Sequence, residues 1–154
     1  EVNRLYVADL PEPRGDEVEM PEDDETEALG AWIDPGAVMR EALVTMSARL
    51  ACRGDGTQAD DDFHIAIAAA TGNPMIQRFA RFMGNQFYAS RVPTWNEEGH
   101  AEGRAQDAQD EHQAIFDAIA AGDPMAAHAA ARNHLVQAAH RLGMKTDHWD
   151  KEIR

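Results

Sequence analysis

Residues 111–135, EHQAIFDAIAAGDPMAAHAAARNHL, determine the fold of this chain. Two alanine-rich segments flank Gly122-Asp123-Pro124, in which glycine ends one helix, aspartate caps the next and proline occupies its first turn. Apolar residues recur at helical spacing on both sides of this turn. The pattern predicts two antiparallel helices, over about 104–121 and 124–142, that pack as a hairpin.

The residues before this hairpin show the same pattern. Asp34-Pro35 and Asn73-Pro74 each combine a capping side chain with a proline at the first helical position. Three further helices are therefore predicted, over about 35–53, 59–71 and 74–91. A mainly irregular connection with one short turn is predicted at 94–103. The last of the three helices has the strongest apolar stripe of the chain, formed by Met75, Ile76, Phe79, Phe82, Met83 and Phe87. No segment alternates like a strand, so the predicted fold class is all-α, an antiparallel helical bundle.

The chain divides into three parts by composition. The predicted helical domain spans residues 34–143. Residues 1–33 contain three prolines and a cluster of acidic residues, which predicts an extended, partly disordered acidic arm or linker. Residues 144–154 form a C-terminal tail with no clear pattern. Because the chain does not begin with methionine, we expect it to be part of a longer protein.

Charge and composition exclude several classes of function. The 154 residues are enough for one domain, and 28 acidic residues against 14 Lys+Arg give a formal net charge of −14. Such a surface repels phosphate backbones and anionic membranes. No apolar stretch is long enough to span a bilayer. The single cysteine excludes an intrachain disulfide framework and favours a cytoplasmic location.

Four residues form a candidate metal site. Asp60 and His64 are four residues apart, which places both side chains on one face of a helix. His112 lies about ten residues before the Gly122-Asp123 turn and His134 about eleven after it. Equal distances from the turn of a hairpin mean equal heights, so the two histidines are expected to face each other. Each also shares a helix face with apolar residues or alanines and should therefore point inward.

The types of ligand limit the choice of metal. Three imidazoles and one carboxylate suit a borderline divalent ion, whereas calcium and magnesium prefer oxygen ligands. We expect zinc first, with nickel, manganese or iron as alternatives. An ion with six ligands would keep two positions for water or for a small carboxylate. An aspartate and a histidine four residues apart, such as Asp60 and His64, would by themselves more often form a surface ion pair. The other histidines are interpreted as surface or helix-end residues: His100, His128, His140 and His148.

These residues resemble the FCD domain, the C-terminal effector-binding domain of FadR-type GntR transcription regulators. The resemblance covers roughly residues 35–142 and rests on three motifs: Asp60-x-x-Phe63-His64 followed by Asn73, Glu111-His112-x-x-Ile115-x-x-Ala118-Ile119-x-x-Gly122-Asp123, and Ala130-x-x-x-His134-Leu135. Residues 39–51 also look like the first helix of that domain. If they are the first helix, the link from them to Asp60 is shorter than in the family and one helix is missing. Alternatively, this segment fills the position of the second helix.

The resemblance implies a dimeric bundle that senses a metabolite. It implies a metal held by Asp60, His64, His112 and His134, and a small organic acid bound at the metal and to a nearby arginine. The candidate ligand-binding residues are Arg91, Gln86 and Asn85, of which the last two are expected to lie closer to the metal in height. DNA would be bound by an N-terminal winged-helix domain, and this sequence contains no basic recognition helix.

The function predicted from the sequence is thus effector sensing and dimerisation, without enzymatic activity. Two alternatives stay open: a metal-dependent enzyme on a helical bundle, and a bundle whose metal is purely structural. The enzyme is disfavoured because no general base points at the site, and Glu111 adjoins His112 instead of preceding it by three residues as in di-iron proteins.

Overall fold

The computed structural model describes residues 34–146, which contain six α-helices and no strand. The prediction of an all-α fold is confirmed. The acidic arm at 1–33, most of the predicted tail at 147–154 and His148 lie outside the described residues. The helices are α1 (Pro35–Cys52), α2 (Thr57–Ala70), α3 (Pro74–Trp95), α4 (Glu97–Ala101), α5 (Arg104–Ala120) and α6 (Pro124–Arg141).

Three of the helices begin with the same cap, as the sequence predicts. The side chains of Asp34, Asn73 and Asp123 each accept a hydrogen bond of 2.9–3.0 Å from a backbone N–H of the first turn. A proline follows each of them, and its missing N–H is one that the helix start would leave unpaired. These caps fix the starts of α1, α3 and α6.

The predicted end of α3 near Arg91 is wrong, because the helix continues through Pro93 to Trp95. Proline inside a helix removes one backbone hydrogen bond. Here tertiary contacts outweigh that loss: Trp95 is 2% exposed and donates a 3.0 Å hydrogen bond from Nε1 to Asp60 Oδ2. The extra turn of α3 is thus held in place by the core.

The connection after α3 is more regular than predicted. Asn96 accepts a 2.7 Å hydrogen bond from the backbone N–H of Gly99 and starts the short helix α4. Helix α2 also begins two residues earlier than predicted, since Asp55 accepts a 2.9 Å bond from the N–H of Thr57. In both places a polar side chain satisfies a backbone donor that the apolar pattern does not reveal.

The core lies where α1 and α5 meet α2. The main helix pairs are α1 with α2, α2 with α3, and α5 with α6. None of the described helices is long and apolar enough to cross a bilayer. The buried hydrophobic cluster consists of Met39, Ala42, Leu43, Met46, Ala59, Phe63, Ala66, Trp95, Ala105 and Ile115.

Most of the strong apolar stripe of α3 points away from this core, whereas Met83 is half-buried. Phe79 is 64% exposed and Phe82 59%. Contiguous exposed apolar patches of this kind are typical of interaction surfaces. We call this surface the α3 apolar face, and it comprises Met75, Ile76, Phe79, Phe82 and Phe87.

Candidate metal centre

Three helices bring three imidazole rings together. His64 comes from α2, His112 from α5 and His134 from α6, and one ring nitrogen of each lies within 4.8 Å of the others. The Nε2 atoms of His64 and His112 are 3.3 Å apart, and the ring centroids of His112 and His134 are 4.5 Å apart. The height matching across the α5–α6 hairpin is therefore confirmed. His112 and His134 are buried, whereas His64 is half-buried.

Asp60 lies beside these rings on the inner face of α2. Its Oδ1 atom is 3.4 Å from Nε2 of His64 and 3.9 Å from Nε2 of His112. Burial disfavours the charged carboxylate, but hydrogen bonds from His64 and Trp95, with the electrostatic attraction of the neighbouring imidazoles, outweigh burial, so the pKa of Asp60 lies well below its ordinary value. The site therefore contains a buried, ionised carboxylate.

His112 provides a neutral nitrogen at the centre of the site. Its side chain is completely buried, and burial, together with the nearby His64 and His134, lowers its pKa to about 3 despite Asp60. A neutral imidazole has a lone pair to donate, which is the form that binds a metal. Near neutral pH this ring needs no deprotonation before it can bind an ion.

These donors fit a divalent ion. Two nitrogens bound to one zinc ion at about 2.0–2.1 Å each lie at most about 4.2 Å apart, and the 3.3 Å between His64 and His112 meets that limit. The third nitrogen, within 4.8 Å, needs only a small movement of a side chain. Among the described residues, Nδ1 of His112 has no hydrogen-bond partner, so this ring is oriented by packing and by the contact of its Nε2 atom with His64. The three predicted histidine ligands are thus assembled as a set suited to zinc or a similar metal, and Asp60 lies beside two of them without belonging to that set.

Of the three predicted ligand-binding residues, only Arg91 lies at the site. Its Nε atom is 3.0 Å from Asp60 Oδ1 and its Nη1 atom is 3.1 Å from Asp61 Oδ1. Asn85 and Gln86 are exposed. Arg91 shares the inner face of α3 with Trp95 one turn further on, whereas the proximity in height expected of Asn85 and Gln86 stays a prediction.

Glu111 is the functional candidate that sequence reasoning missed. It accepts a 2.8 Å hydrogen bond from Nδ1 of His134 and two more from the guanidinium of Arg141. Burial raises its pKa, but the hydrogen bonds and charges of Arg141 and His134 prevail and the net pKa is lowered. The signal was available: Glu111 and His134 are also at equal heights about the turn. Its direction, about 100° from His112, points it at α6 and not at the metal.

The other described histidines lie outside the cluster. Nε2 of His100 is 2.9 Å from the backbone oxygen of Gly54, and Nε2 of His140 is 2.7 Å from Oγ1 of Thr146. His128 is exposed on α6. These positions agree with the interpretation of the three histidines as surface or helix-end residues.

Comparison with known families gives one result. The family model described as FCD domain matches residues 36–137. This range includes Asp60, the three clustered histidines and Glu111. No curated protein matches the chain.

Proposed function

This chain belongs to the FCD domain family, the C-terminal domain of GntR-type regulators, and we propose that it is the effector-sensing and dimerisation domain of a regulator of the FadR subgroup. FCD is a regulatory family and not an enzyme family. Its members typically bind small-molecule effectors and dimerise, and often bind metals. DNA would be contacted by an N-terminal winged-helix domain of a longer, cytoplasmic protein.

The proposed metal ligands are Asp60, His64, His112 and His134. The observation that carries this proposal is that imidazole nitrogens from three different helices lie within 4.8 Å of one another, next to a buried, ionised carboxylate. Zinc is the expected ion, with nickel, manganese and iron as alternatives. When bound, the ion supplies a Lewis-acidic centre to which the carboxylate of an effector can bind.

The proposed effector is a small organic acid held partly by Arg91. The guanidinium lies next to Asp60, and the Arg91 side chain is 16% exposed. A bidentate arginine–carboxylate pair provides geometry as well as charge. Asn85 and Gln86 remain proposed contacts only for an effector, or a partner chain, that extends to the outer side of α3.

The proposed homodimer uses the α3 apolar face. Phe79, Phe82 and Phe87 are each at least half exposed on this helix, and a second copy of the chain would cover them. Effector binding would favour one of two packings of the dimer and so change the separation of the attached DNA-binding domains.

A purely structural metal is the second candidate function. Helix α6 packs mainly against α5, and an ion held by His64, His112 and His134 would join α6 to α2 as well. Such a crosslink would stabilise the fold without any effector.

Metal content measured on the purified chain tests the site. The chain is stripped with a chelator, reloaded with zinc and freed of excess ion. We expect about one zinc per chain in the unmodified protein and in His128→Ala, an exposed-histidine control, and a large loss in His112→Ala and His134→Ala. Full zinc content in both core variants would overturn the proposed site.

A thermal-shift screen of small carboxylates then separates the two functions. A ligand that binds only the folded state must raise its stability, by about 2.7 kcal/mol at one hundred times Kd. For a sensor, at least one carboxylate stabilises the zinc-loaded chain and has less effect on Arg91→Gln. If chelation lowers the melting temperature but no carboxylate raises it, the metal is structural.

A further inference from the structure

One carboxylate connects a predicted metal ligand to the end of the last helix. Glu111 Oε2 accepts a 2.8 Å hydrogen bond from Nδ1 of His134 and another 2.8 Å bond from Nη2 of Arg141. Nη1 of Arg141 donates to the other carboxylate oxygen, also at 2.8 Å. The three side chains are only 9–12% exposed. Glu111 is therefore held in one orientation by a two-pronged ion pair.

This contact fixes which nitrogen of His134 carries the proton. A carboxylate only accepts hydrogen bonds, so the ring must place its N–H at Nδ1. The lone pair of the neutral ring is then at Nε2, the nitrogen remaining for an ion. Metal-binding histidines commonly donate their second nitrogen to such a carboxylate, which also sets the ring angle.

Arg141 makes the orientation of Glu111 specific. A carboxylate held by a single hydrogen bond can rotate about its side-chain torsions, whereas the fork of an arginine fixes its plane. The charges of Glu111 and Arg141 also cancel, so the buried pair adds no net charge near the proposed metal. A simple clamp between α5 and α6 would need this ion pair, but it would not need the bond to His134.

We propose that Glu111 and Arg141 are positioning residues of the metal centre: Arg141 orients Glu111, and Glu111 holds His134 in the tautomer and ring orientation that bind the ion. This inference rests on the proposed metal site. It adds Glu111 and Arg141 to the proposed site, although neither would contact the ion. It also predicts that their substitution changes metal affinity, an effect that can be measured separately from any effect on folding.

Zinc affinity of the chelator-stripped chain, measured by competition with a chromophoric chelator, is the first test. We expect Glu111→Ala to weaken zinc binding about 10- to 100-fold, with the stoichiometry kept, because outer-sphere partners contribute on this scale. Arg141→Met should weaken binding less, and Arg141→Lys should recover part of the loss. Asp110→Asn is the matched control, since this exposed carboxylate on the same helix bonds only to Gln106 among the contacts described.

Nitrogen-15 NMR of the histidine rings is the second test, because it reports the tautomer of His134. If Glu111 only clamped α5 to α6, its substitution would leave that tautomer unchanged. In the metal-free chain at pH 7.5, we expect His134, whose signals are identified by their absence in His134→Ala, to carry its proton on Nδ1, and Glu111→Ala should lose this tautomer. Alanine removes the acceptor altogether, whereas the amide oxygen of a glutamine could still accept a hydrogen bond from Nδ1 of His134.

The outcomes separate the inference from the site itself. If His112→Ala abolishes zinc binding but Glu111→Ala and Glu111→Gln bind zinc as tightly as the unmodified chain, the metal site stands and the positioning role is overturned. An unchanged His134 tautomer in Glu111→Ala would overturn it too. If His112→Ala also keeps its zinc, the proposed metal site has failed.

Discussion

Acid should destabilise the metal-free chain mainly through His112 between pH 7 and pH 5. This ring is completely buried and its folded-state pKa is about 3, against an ordinary value of 6.5. The unfolded chain therefore takes up a proton at His112 as the pH falls below about 6.5, while the folded chain stays unprotonated. Because the unfolded state binds more protons, stability must fall as the pH falls through this window.

The size of the effect follows from linkage. With an unfolded pKa of 6.5 and no protonation of the folded state above pH 4, lowering the pH from 7 to 5 removes about 2 kcal/mol of unfolding free energy. Asp60 and Glu111, whose pKa values are lowered, act in the same direction only near and below their ordinary values of 3.8 and 4.5. These two carboxylates therefore contribute little over the range from pH 7 to pH 5.

Urea unfolding at pH 7, 6 and 5 in the presence of a chelator measures this loss. His112→Gln removes the titrating group, so its stability should depend less on pH by about 2 kcal/mol over the range, even if its stability at pH 7 is lower. His128→Gln, at an exposed site, should behave like the unmodified chain. Equal losses in the unmodified chain and in His112→Gln would refute the reasoning.

Two further substitutions test the packing around the site, and a third tests the α3 apolar face. Gly84→Ala would place a Cβ atom 2.6 Å from Asp61 Oδ1, so we expect a net loss of about 1–3 kcal/mol in urea unfolding despite the better helix propensity of alanine; equal or higher stability would contradict it. Trp95→Phe removes the hydrogen bond to Asp60 and should cost about 1.5–3 kcal/mol in the same assay, whereas a loss below 0.5 kcal/mol, roughly the noise of single substitutions, would show that the bond is unimportant. Phe79→Asp should convert dimers to monomers in sedimentation velocity with an unchanged helix content, and a persistent dimer would exclude the α3 apolar face.

The sequence predicted what depends on local rules. The cap-and-proline starts at Asp34, Asn73 and Asp123 set three helix starts through contacts within one turn, and the structure shows each of them. The meeting of His112 and His134 also followed from local geometry, because a tight hairpin fixes the heights of residues on its two arms.

Features that depend on distant residues were not predictable. Helix α3 passes Pro93 because Trp95 is anchored on Asp60, which is 35 residues away in sequence. The Glu111–Arg141 ion pair needs the angle between α5 and α6 as well as their register. Periodicity also shows that Phe79 and Phe82 share a face, but not whether that face meets the core of the same chain or another molecule.

Helix α3 connects the two proposed activities of this domain. Its inner face carries Arg91, which contacts Asp60 at the metal site, and its outer face carries the exposed phenylalanines of the proposed dimer surface. An effector carboxylate that takes Arg91 from Asp60 would remove one of the polar contacts between α3 and α2. If the effector also takes Arg91 from Asp61, the contact from Trp95 to Asp60 remains one turn further along, and α3 could pivot about that end. Such a pivot would move Phe79 and Phe82 more than it moves the metal site, which is the differential effect that an allosteric domain needs.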